Sequence, residues 1–220
     1  PSYLKHKLKY SYYFLLYNNL MKRMYLDLET LPATEDKHDV LKYLHAKRQA
    51  KKAEKENGKF VDFEHFLLGT SFDGAYGRIL VCAYAIDDNP VEALCEPENE
   101  KKLLEYFWVL AADIDLFVGH NIIDFDMRFL YQRSMILGIK PSRNLSFARY
   151  RNTPMFDTQR EWSQWGGGSV GLEHIALAMN LPSPKDGIDG SEVYAFFKKG
   201  KVKEIVEYCK RDVETTRAVY

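Results

Sequence analysis

Two carboxylates, Asp27 and Glu29, follow an apolar run that begins at Met24. Residues spaced i and i+2 in a β-strand project from the same face, so both side chains are expected to point together from a strand end. Carboxylates held this close repel each other unless one takes up a proton or a cation lies between them. Hard divalent cations such as Mg²⁺ bind oxygen ligands of this kind. The pair predicts either a solvated strand edge or part of a metal site.

More acidic residues occur in two later segments. Asp126 opens a helical pattern after the apolar strand 116–118, and Tyr208 and Asp212 stand four residues apart in the last helical pattern. An i, i+4 spacing places two helical side chains on one face. Groups at strand ends and helix starts of an α/β sheet commonly converge on one crevice. We therefore expect one site with four carboxylates and a phenol, whose charges would require two divalent cations.

The second segment contains another acid, Asp124, two residues before Asp126. Two such positions in a helix differ by about 200°, so both carboxylates cannot face one metal ion. Asp124 stands where a helix N-cap is expected, with Arg128 four residues on as a partner. Asp126 shares an edge of the apolar helix face with Leu130, which suits a carboxylate at a crevice. We therefore expect Asp126 to be the ligand.

The elements that must position these residues alternate in a way that favours an α/β fold with a mixed sheet. The first strand is expected over 23–28, and apolar runs at 79–86 and 91–95 predict a hairpin. The remaining expected elements are a helix at 98–112, a strand at 116–118, a helix ending at Gly138, a strand at 154–158, a helix at 172–180, a capping box at 189–192 before another helix, and a last helix from Val202.

The chain has 220 residues, enough for one domain with a substantial core. Residues 1–22 are predicted to be an N-terminal extension outside the core, and residues 23–220 a single domain. The apolar run 12–17 follows several lysines, but it is too short and too aromatic for a signal peptide or a membrane span. The charged segment 36–58 is predicted to be a helical insertion, with a solvated helix favoured over a basic arm that contacts nucleic acid.

Composition narrows the classes of partner. The formal net charge is zero, so any nucleic-acid binding must come from a local patch or from metal-held phosphate, and no overall field attracts an anionic membrane. No segment is long enough to cross a membrane, so no membrane partner is expected. Cys82, Cys95 and Cys209 form no CxxC pair. They are interpreted as reduced thiols of a cytoplasmic protein, which argues against a zinc site or a disulfide framework.

The three segments resemble the Exo I, Exo II and Exo III motifs of the DEDD superfamily of 3′–5′ exonucleases, in its tyrosine subclass. Asp27-Leu28-Glu29 matches Asp-x-Glu, residues 121–126 match Asn followed by an aromatic residue and Asp, and residues 208–212 match Tyr-x-x-x-Asp. More closely, the chain resembles predicted exonucleases related to the proofreading domain of family-B DNA polymerases. This similarity covers about 24–220 and is strongest over 119–130 and before the last helix.

The resemblance implies a ribonuclease H-like fold, with a five-stranded mixed β-sheet flanked by α-helices. It also implies two Mg²⁺ or Mn²⁺ ions. Asp27 would bridge both ions, and Asp126 would hold the second one. Glu29 and Asp212 would complete the site of the ion that binds the attacking water. Tyr208 would orient that water, because a phenol with a pKa of about 10 is a poor base at neutral pH.

Residues beside the motifs are candidates for contacting the nucleic acid. They are Leu28, Thr30, His120, Asn121 and Phe125. For His120 a structural hydrogen bond is favoured over a substrate contact. Phe125 has helical spacing with Phe129 and is favoured as a core residue.

Several residues outside the motifs are also of interest. Asp157 ends a strand and is expected to be either a supporting carboxylate or a helix cap, and His174 is expected to be structural. Tyr150, Trp162 and Trp165 could stack on a base, although loop aromatic residues more often pack within the protein. The loop around Tyr150 is basic, with Lys140, Arg143, Arg149 and Arg151.

The predicted function is a metal-dependent 3′–5′ exonuclease that releases 5′-mononucleotides from single-stranded ends, with DNA favoured over RNA. Nothing in the sequence recognises the sugar 2′-hydroxyl, so an exoribonuclease of the same architecture is the nearest alternative. A nucleic-acid-binding module without turnover and a structural domain with solvated acids are two others. The complete set of motif residues argues against an inactive module, because such a relative should have lost carboxylates. The sequence indicates neither protein partners nor an oligomeric state.

Overall fold

A computed structural model of the chain describes residues 21–53, 60–185 and 187–220. Its five-stranded sheet consists of β1 (Arg23–Leu31), β2 (Arg78–Ile86), β3 (Glu92–Cys95), β4 (Leu116–Gly119) and β5 (Met155–Asp157). The strand order is β3-β2-β1-β4-β5. β2 pairs antiparallel with β1 and β3, whereas β4 pairs parallel with β1 and β5. The predicted mixed sheet and the predicted β2–β3 hairpin are confirmed.

Helices cover both faces of this sheet. In chain order they are α1 (His38–Ala53), α2 (Phe63–Leu68), α3 (Glu100–Ala111), α4 (Asp126–Leu137), α5 (Thr158–Trp162), α6 (Leu172–Ala178), α7 (Val193–Lys198) and α8 (Val202–Val219). Single 3₁₀ turns precede α1, follow α2 and precede α7. Over the described ranges, the helices are all too short or too polar to cross a membrane.

The central strand, β1, separates two apolar clusters. Leu26 and Leu28 pack in the cluster that contains residues of α3 and α4. Tyr25 packs in the other cluster, with residues of α7 and α8. Because successive side chains of a strand point to opposite faces of the sheet, Asp27 and Glu29 lie on the same face as Tyr25 and point toward α8.

β1 is longer than the sequence pattern predicts. It continues past Leu28 to Leu31, because these last residues go on pairing with β2 until Pro32 follows. The pairing register shifts between Glu29 and Thr30. Such a bulge locally increases strand twist and redirects side chains. The irregularity thus falls directly after the second carboxylate.

Local signals predicted several element ends correctly. Gly138 ends α4 in the left-handed conformation, with φ of 67°, as expected for a C-cap glycine. Asp189 and Glu192 form the predicted capping box before α7. The helix expected over 98–112 is α3, which begins after an Asn99 cap.

The extension and the insertion are described only in part. Residues 1–20 and residues 54–59 lie outside the described residues, so the domain boundary at residue 23 stays a prediction. Lys22 is attached to the domain: its backbone N–H donates to Asp115 Oδ2, and its carbonyl accepts from the Asp115 N–H, both at 2.9 Å. The helix expected in the charged insertion is present as α1.

A second helix beside the insertion, α2, was not predicted. It packs on α1 through rings: the His45 ring centroid lies 5.7 Å from Phe63 and 5.2 Å from Phe66. The His45 Nε2 atom lies 2.6 Å from the carbonyl oxygen of Val61. These contacts join residues of two separate helices, so the helical periodicity of either segment alone could not indicate them.

Candidate active site

The second half of β1 carries the first two predicted site residues. Glu29 is buried and Asp27 is partly buried. One carboxylate oxygen of each and the Cys209 sulfur of α8 lie within 4.8 Å of one another. The Cys209 thiol is 3.3 Å from both the backbone oxygen and the Oδ2 atom of Asp27. The prediction that Asp27 and Glu29 project together is confirmed.

Asp126 reaches this place from the opposite face of the sheet. It is the first residue of α4, and its side chain is 2% exposed. Its Oδ1 atom accepts a 3.0 Å hydrogen bond from the backbone N–H of Leu28. The parallel pairing of β1 with β4 ends at Tyr25, so a later N–H of β1 needs another partner. The carboxylate of Asp126 supplies that partner.

Asp124 lies outside this cluster. Its carboxylate forms ion pairs with Arg128, at 3.6 Å, and with Arg160. The expected Arg128 partner is present. The expected N-cap role is wrong, because the residue that precedes α4 is Phe125, and no side chain caps this helix. The exposed Asp124 carboxylate pairs with arginine side chains and does not turn back to cap the helix.

The loop before α4 is held by Asp157, which is buried at the end of β5. Its Oδ1 atom accepts a 3.0 Å hydrogen bond from the Asn121 N–H, and its Oδ2 atom accepts one of 3.1 Å from Ile123. Oδ1 also caps α5 by accepting from Gln159 and Arg160 at 3.0 and 3.1 Å. The two expected roles, supporting carboxylate and cap, are therefore both present in one residue.

The last two predicted site residues lie on α8. Tyr208 is buried, and its hydroxyl hydrogen-bonds to the Asp212 carboxylate one turn away. Burial, and then the charges of Asp212, Glu29 and Asp27, raise the pKa of Tyr208 far above its ordinary value. The phenol is therefore protonated at neutral pH and donates to Asp212.

The clustered carboxylates hold protons more tightly than isolated ones do. Burial, together with the charges of Asp212 and Asp126, raises the pKa values of Asp27 and Glu29 well above their ordinary range. Burial raises the pKa of Asp126 to about 7, although backbone hydrogen bonds partly offset this. Burial also raises the pKa of Asp212 to about 6, against the opposing effect of its bond with Tyr208. Like charges have thus been gathered where water screens them poorly.

This donor set fits hard divalent cations. Carboxylate oxygens are the ligands that Mg²⁺ and Mn²⁺ prefer, and bound cations would remove the mutual repulsion of the four acids. Cys209 is a poor ligand here, because burial and then the Asp27 charge raise the pKa of its thiol well above the ordinary value. A protonated thiol binds metal weakly. Cys209 instead donates a hydrogen bond to Asp27.

Two residues near the cluster, Cys209 and Lys185, were not predicted from the sequence to belong to the site. Cys209 stands three residues before Asp212 within the third motif, so helical spacing could have placed it on the site face. Lys185 has no such signal. Its ammonium contacts Asp189 and, at 3.7 Å, Glu173, and its charge lowers the pKa of Asp212.

Most residues that were predicted to contact nucleic acid make their contacts within the protein. Both ring nitrogens of His120 are hydrogen-bonded, to Thr158 Oγ1 at 2.9 Å and to the Val170 carbonyl at 2.8 Å, which agrees with the favoured structural role. Burial lowers the pKa of His120. The Thr30 hydroxyl donates to the Ser71 carbonyl at 2.6 Å.

The other three candidates lie around the start of α4. Leu28 is buried and contributes its N–H to Asp126. Asn121 has a left-handed backbone, with φ of 61°, a conformation that Asn tolerates better than most residues. The Phe125 ring is partly buried and lies 5.6 Å from that of Phe129, as expected for a core residue.

Comparisons with known proteins agree with the fold and the motifs. The family model for predicted 3′–5′ exonucleases related to the exonuclease domain of PolB matches residues 78–220. This match includes the second and third motifs, whereas the first motif, on β1, lies before it. No curated protein sequence matches the chain.

Among solved structures, the fold is similar to the family B DNA polymerase of the hyperthermophilic archaeon Pyrobaculum calidifontis, with a TM-score of 0.62 and 15% sequence identity. The similarity covers 90% of this chain and 24% of the polymerase, so the chain spans about a quarter of that protein. The predicted ribonuclease H-like fold is confirmed. The chain belongs to the family of predicted 3′–5′ exonucleases related to the exonuclease domain of PolB.

Proposed function

We propose that the protein is a metal-dependent 3′–5′ exonuclease that releases 5′-mononucleotides from single-stranded DNA ends. One observation carries this proposal. Asp27, Glu29, Asp126 and Asp212 converge from both faces of the sheet at the end of β1, and Tyr208 is hydrogen-bonded to the last of them. A structural domain gains nothing from gathering four carboxylates that repel one another, whereas a phosphodiester hydrolase needs them.

The four carboxylates would hold two divalent cations, Mg²⁺ or Mn²⁺. When bound, such cations lower the pKa of water and stabilise the attacking and leaving oxygens of an in-line displacement at phosphorus. Asp126 is oriented for this role by the Leu28 N–H, which fixes one of its oxygens. Asp27 and Glu29 are oriented by the central strand, and Asp212 by its bond with Tyr208. Because these acids have raised pKa values, cation binding would release protons.

Tyr208 would position the attacking water. Its raised pKa keeps the phenol protonated, so it cannot take a proton from water at neutral pH. A hydroxyl has both a donor and acceptor sites, so the oxygen that donates to Asp212 can still accept a hydrogen bond from water. The buried ring keeps this oxygen in place beside the carboxylates.

The preference for DNA rests on the relation of the family to the exonuclease domain of PolB. Digestion of matched DNA and RNA oligonucleotides, labelled at either the 5′ or the 3′ end, tests substrate and direction together. We expect 5′-labelled DNA to give a ladder of shortened products and 3′-labelled DNA to release its label as a mononucleotide at once. Both reactions should require Mg²⁺ or Mn²⁺ and should be absent with Asp126→Asn.

Two results would change the proposal. Shortening from the 5′ end, or internal cuts, would contradict a 3′–5′ exonuclease. Faster digestion of RNA than of DNA would leave the proposed mechanism unchanged and make RNA the proposed substrate.

A further inference from the structure

A pocket of about 270 Å³ opens beside the loop that leads into α4. We call it the arginine pocket, because three arginines line it together with aromatic rings. Its lining includes Asp124, Arg128, Arg149, Tyr150, Arg160 and Trp165. None of them is among the residues proposed to hold metal or to position water.

The arginine pocket carries a net positive charge. Arg128 and Arg160 share a single carboxylate, that of Asp124, so one of their two charges stays uncompensated. Arg149 is exposed and has no ion-pair partner among residues 21–53, 60–185 and 187–220. Guanidinium groups bind phosphate through paired N–H donors. In a chain without net charge, this is a local patch able to attract a phosphate.

Aromatic rings line the same pocket as these charges. Tyr150 is 74% exposed, and its ring centroid lies 5.5 Å from that of Trp165. Exposed aromatic rings in a positively charged groove are the surfaces on which bases of single strands stack. The volume of the pocket lies just under the ~300–1,000 Å³ typical of small-molecule sites, which suits one base and its phosphate.

Hydrogen bonds connect the arginine pocket to the loop that leads into the candidate active site. The Asp157 carboxylate accepts hydrogen bonds from the N–H groups of Ile123 and Arg160, at 3.1 Å each, and both residues line the pocket. Ile123 also lies three residues before Asp126, in the same loop. One buried carboxylate therefore holds both the pocket wall and the approach to the proposed metal ligand.

We propose that the arginine pocket binds one nucleotide of the single strand. This nucleotide lies on the 5′ side of the bond that is cut, because an enzyme that releases mononucleotides from a 3′ end has only the departing nucleotide on the other side. Arg149 contacts its phosphate, and the exposed face of Tyr150 stacks on its base. This inference rests on the proposed function for the identity of the strand. A free 5′-mononucleotide has the same phosphate and base, so the experiment must separate it from a strand.

The test measures equilibrium binding in excess EDTA, where cleavage cannot interfere. Fluorescence anisotropy of a labelled single-stranded DNA oligonucleotide gives Kd for the wild type and for Arg149→Ala, Tyr150→Ala, Tyr150→Phe and Arg151→Ala. Arg151 is the matched control, because it is an exposed arginine of the same loop that does not line the pocket. These exposed side chains should not affect folding, and thermal melts verify this.

We expect distinct effects from charge and ring. Arg149→Ala should weaken binding about tenfold and lower the slope of log affinity against log salt by about 0.7, as for one lost phosphate contact to a single strand. Tyr150→Ala should weaken binding by roughly 5- to 150-fold with an unchanged slope, because one stacked base is lost. Tyr150→Phe keeps the ring and should bind like the wild type, as should Arg151→Ala.

Other outcomes overturn the proposal. Equal losses with Arg149→Ala and Arg151→Ala would indicate diffuse attraction without a site. Displacement of the labelled strand by a 5′-mononucleotide as effectively as by unlabelled oligonucleotide would assign the pocket to a free nucleotide. If the wild type degrades DNA as proposed while all variants bind alike, the pocket proposal fails alone. If the variants bind as expected and nothing is degraded, only the proposed function fails.

Discussion

The backbone N–H of Leu28 donates a 3.0 Å hydrogen bond to Oδ1 of Asp126, so the central strand orients a carboxylate that belongs to a helix on the sheet face. This bond connects the first and second motifs directly. Asp124 makes no equivalent bond, since its carboxylate pairs with Arg128 and Arg160.

Asp126→Asn should nearly eliminate cleavage and weaken Mn²⁺ binding at least tenfold, because it removes a ligand charge. The fold should persist, since the Asn side-chain oxygen can still accept from Leu28. Asp124→Asn should bind Mn²⁺ like the wild type. Isothermal titration calorimetry of both variants, with the exonuclease assay for Asp126→Asn, tests this. Loss of metal affinity in Asp124→Asn alone would move the ligand to Asp124.

Tyr208→Phe should lower turnover by roughly 10- to 100-fold while leaving Mn²⁺ affinity nearly intact, because the hydroxyl positions water and is not a ligand. Asp212→Ala should weaken both. Steady-state kinetics and calorimetry on the same preparations separate the two effects. Equal loss of metal binding in the two variants would contradict the roles assigned to them.

Divalent cations should stabilise the folded protein, because they bind carboxylates that only the fold brings together. At a cation concentration of one hundred times Kd, the gain is about 2.7 kcal/mol. For a chain of this size that corresponds to roughly 5–10 °C in melting temperature. Thermal melts with EDTA and then with Mn²⁺ measure it, and Asp126→Asn should show a smaller gain. Undiminished cleavage in excess EDTA would refute metal dependence.

Without cations, stability should fall as pH rises from about 4 to about 7. The folded pKa values, about 7 for Asp126 and about 6 for Asp212, lie above the ordinary value of an unfolded aspartate, about 4. The folded state therefore binds more protons in this window, and stability present below pH 4 is lost as pH rises through the folded values. The lowered pKa of His120 has the opposite effect on stability, but it is one group against the two aspartates.

Thermal melts of EDTA-treated protein between pH 4 and 8 measure this decline, and Mn²⁺ should reverse it at neutral pH. Asp126→Asn removes one titrating group and should flatten the curve. A melting temperature that climbs steadily over the same range would contradict the raised pKa values.

Asp157→Ala should destabilise the fold by about 2–4 kcal/mol, because a buried acceptor of four backbone N–H groups is lost, two of which belong to the cap of α5. Urea denaturation gives the free energy of unfolding. Asp113→Ala, at an exposed position, is the control and should change it by less than about 0.5 kcal/mol. An effect no larger than the control would mean that water replaces the carboxylate.

Patterns between near neighbours in the chain predicted much of this protein. The Gly138 end of α4 and the capping box at Asp189 depend on residues only a few positions apart. The β2–β3 hairpin joins two strands that follow each other directly in the chain. The projection of Asp27 and Glu29 from one face likewise follows from the period of a strand. Such features need no knowledge of what packs against them.

Other features were decided only when the chain packed. Asp126 enters the cluster because β4 pairs with β1 only as far as Tyr25, which leaves the Leu28 N–H in need of an acceptor. Asp157 holds the loop before α4 because that loop folds back over the end of β5. The raised pKa values of the acids arise from burial and from charges on other segments. Spacing along a chain can align side chains on one element. The packing of the elements then decides which unpaired backbone groups and which charges those side chains meet.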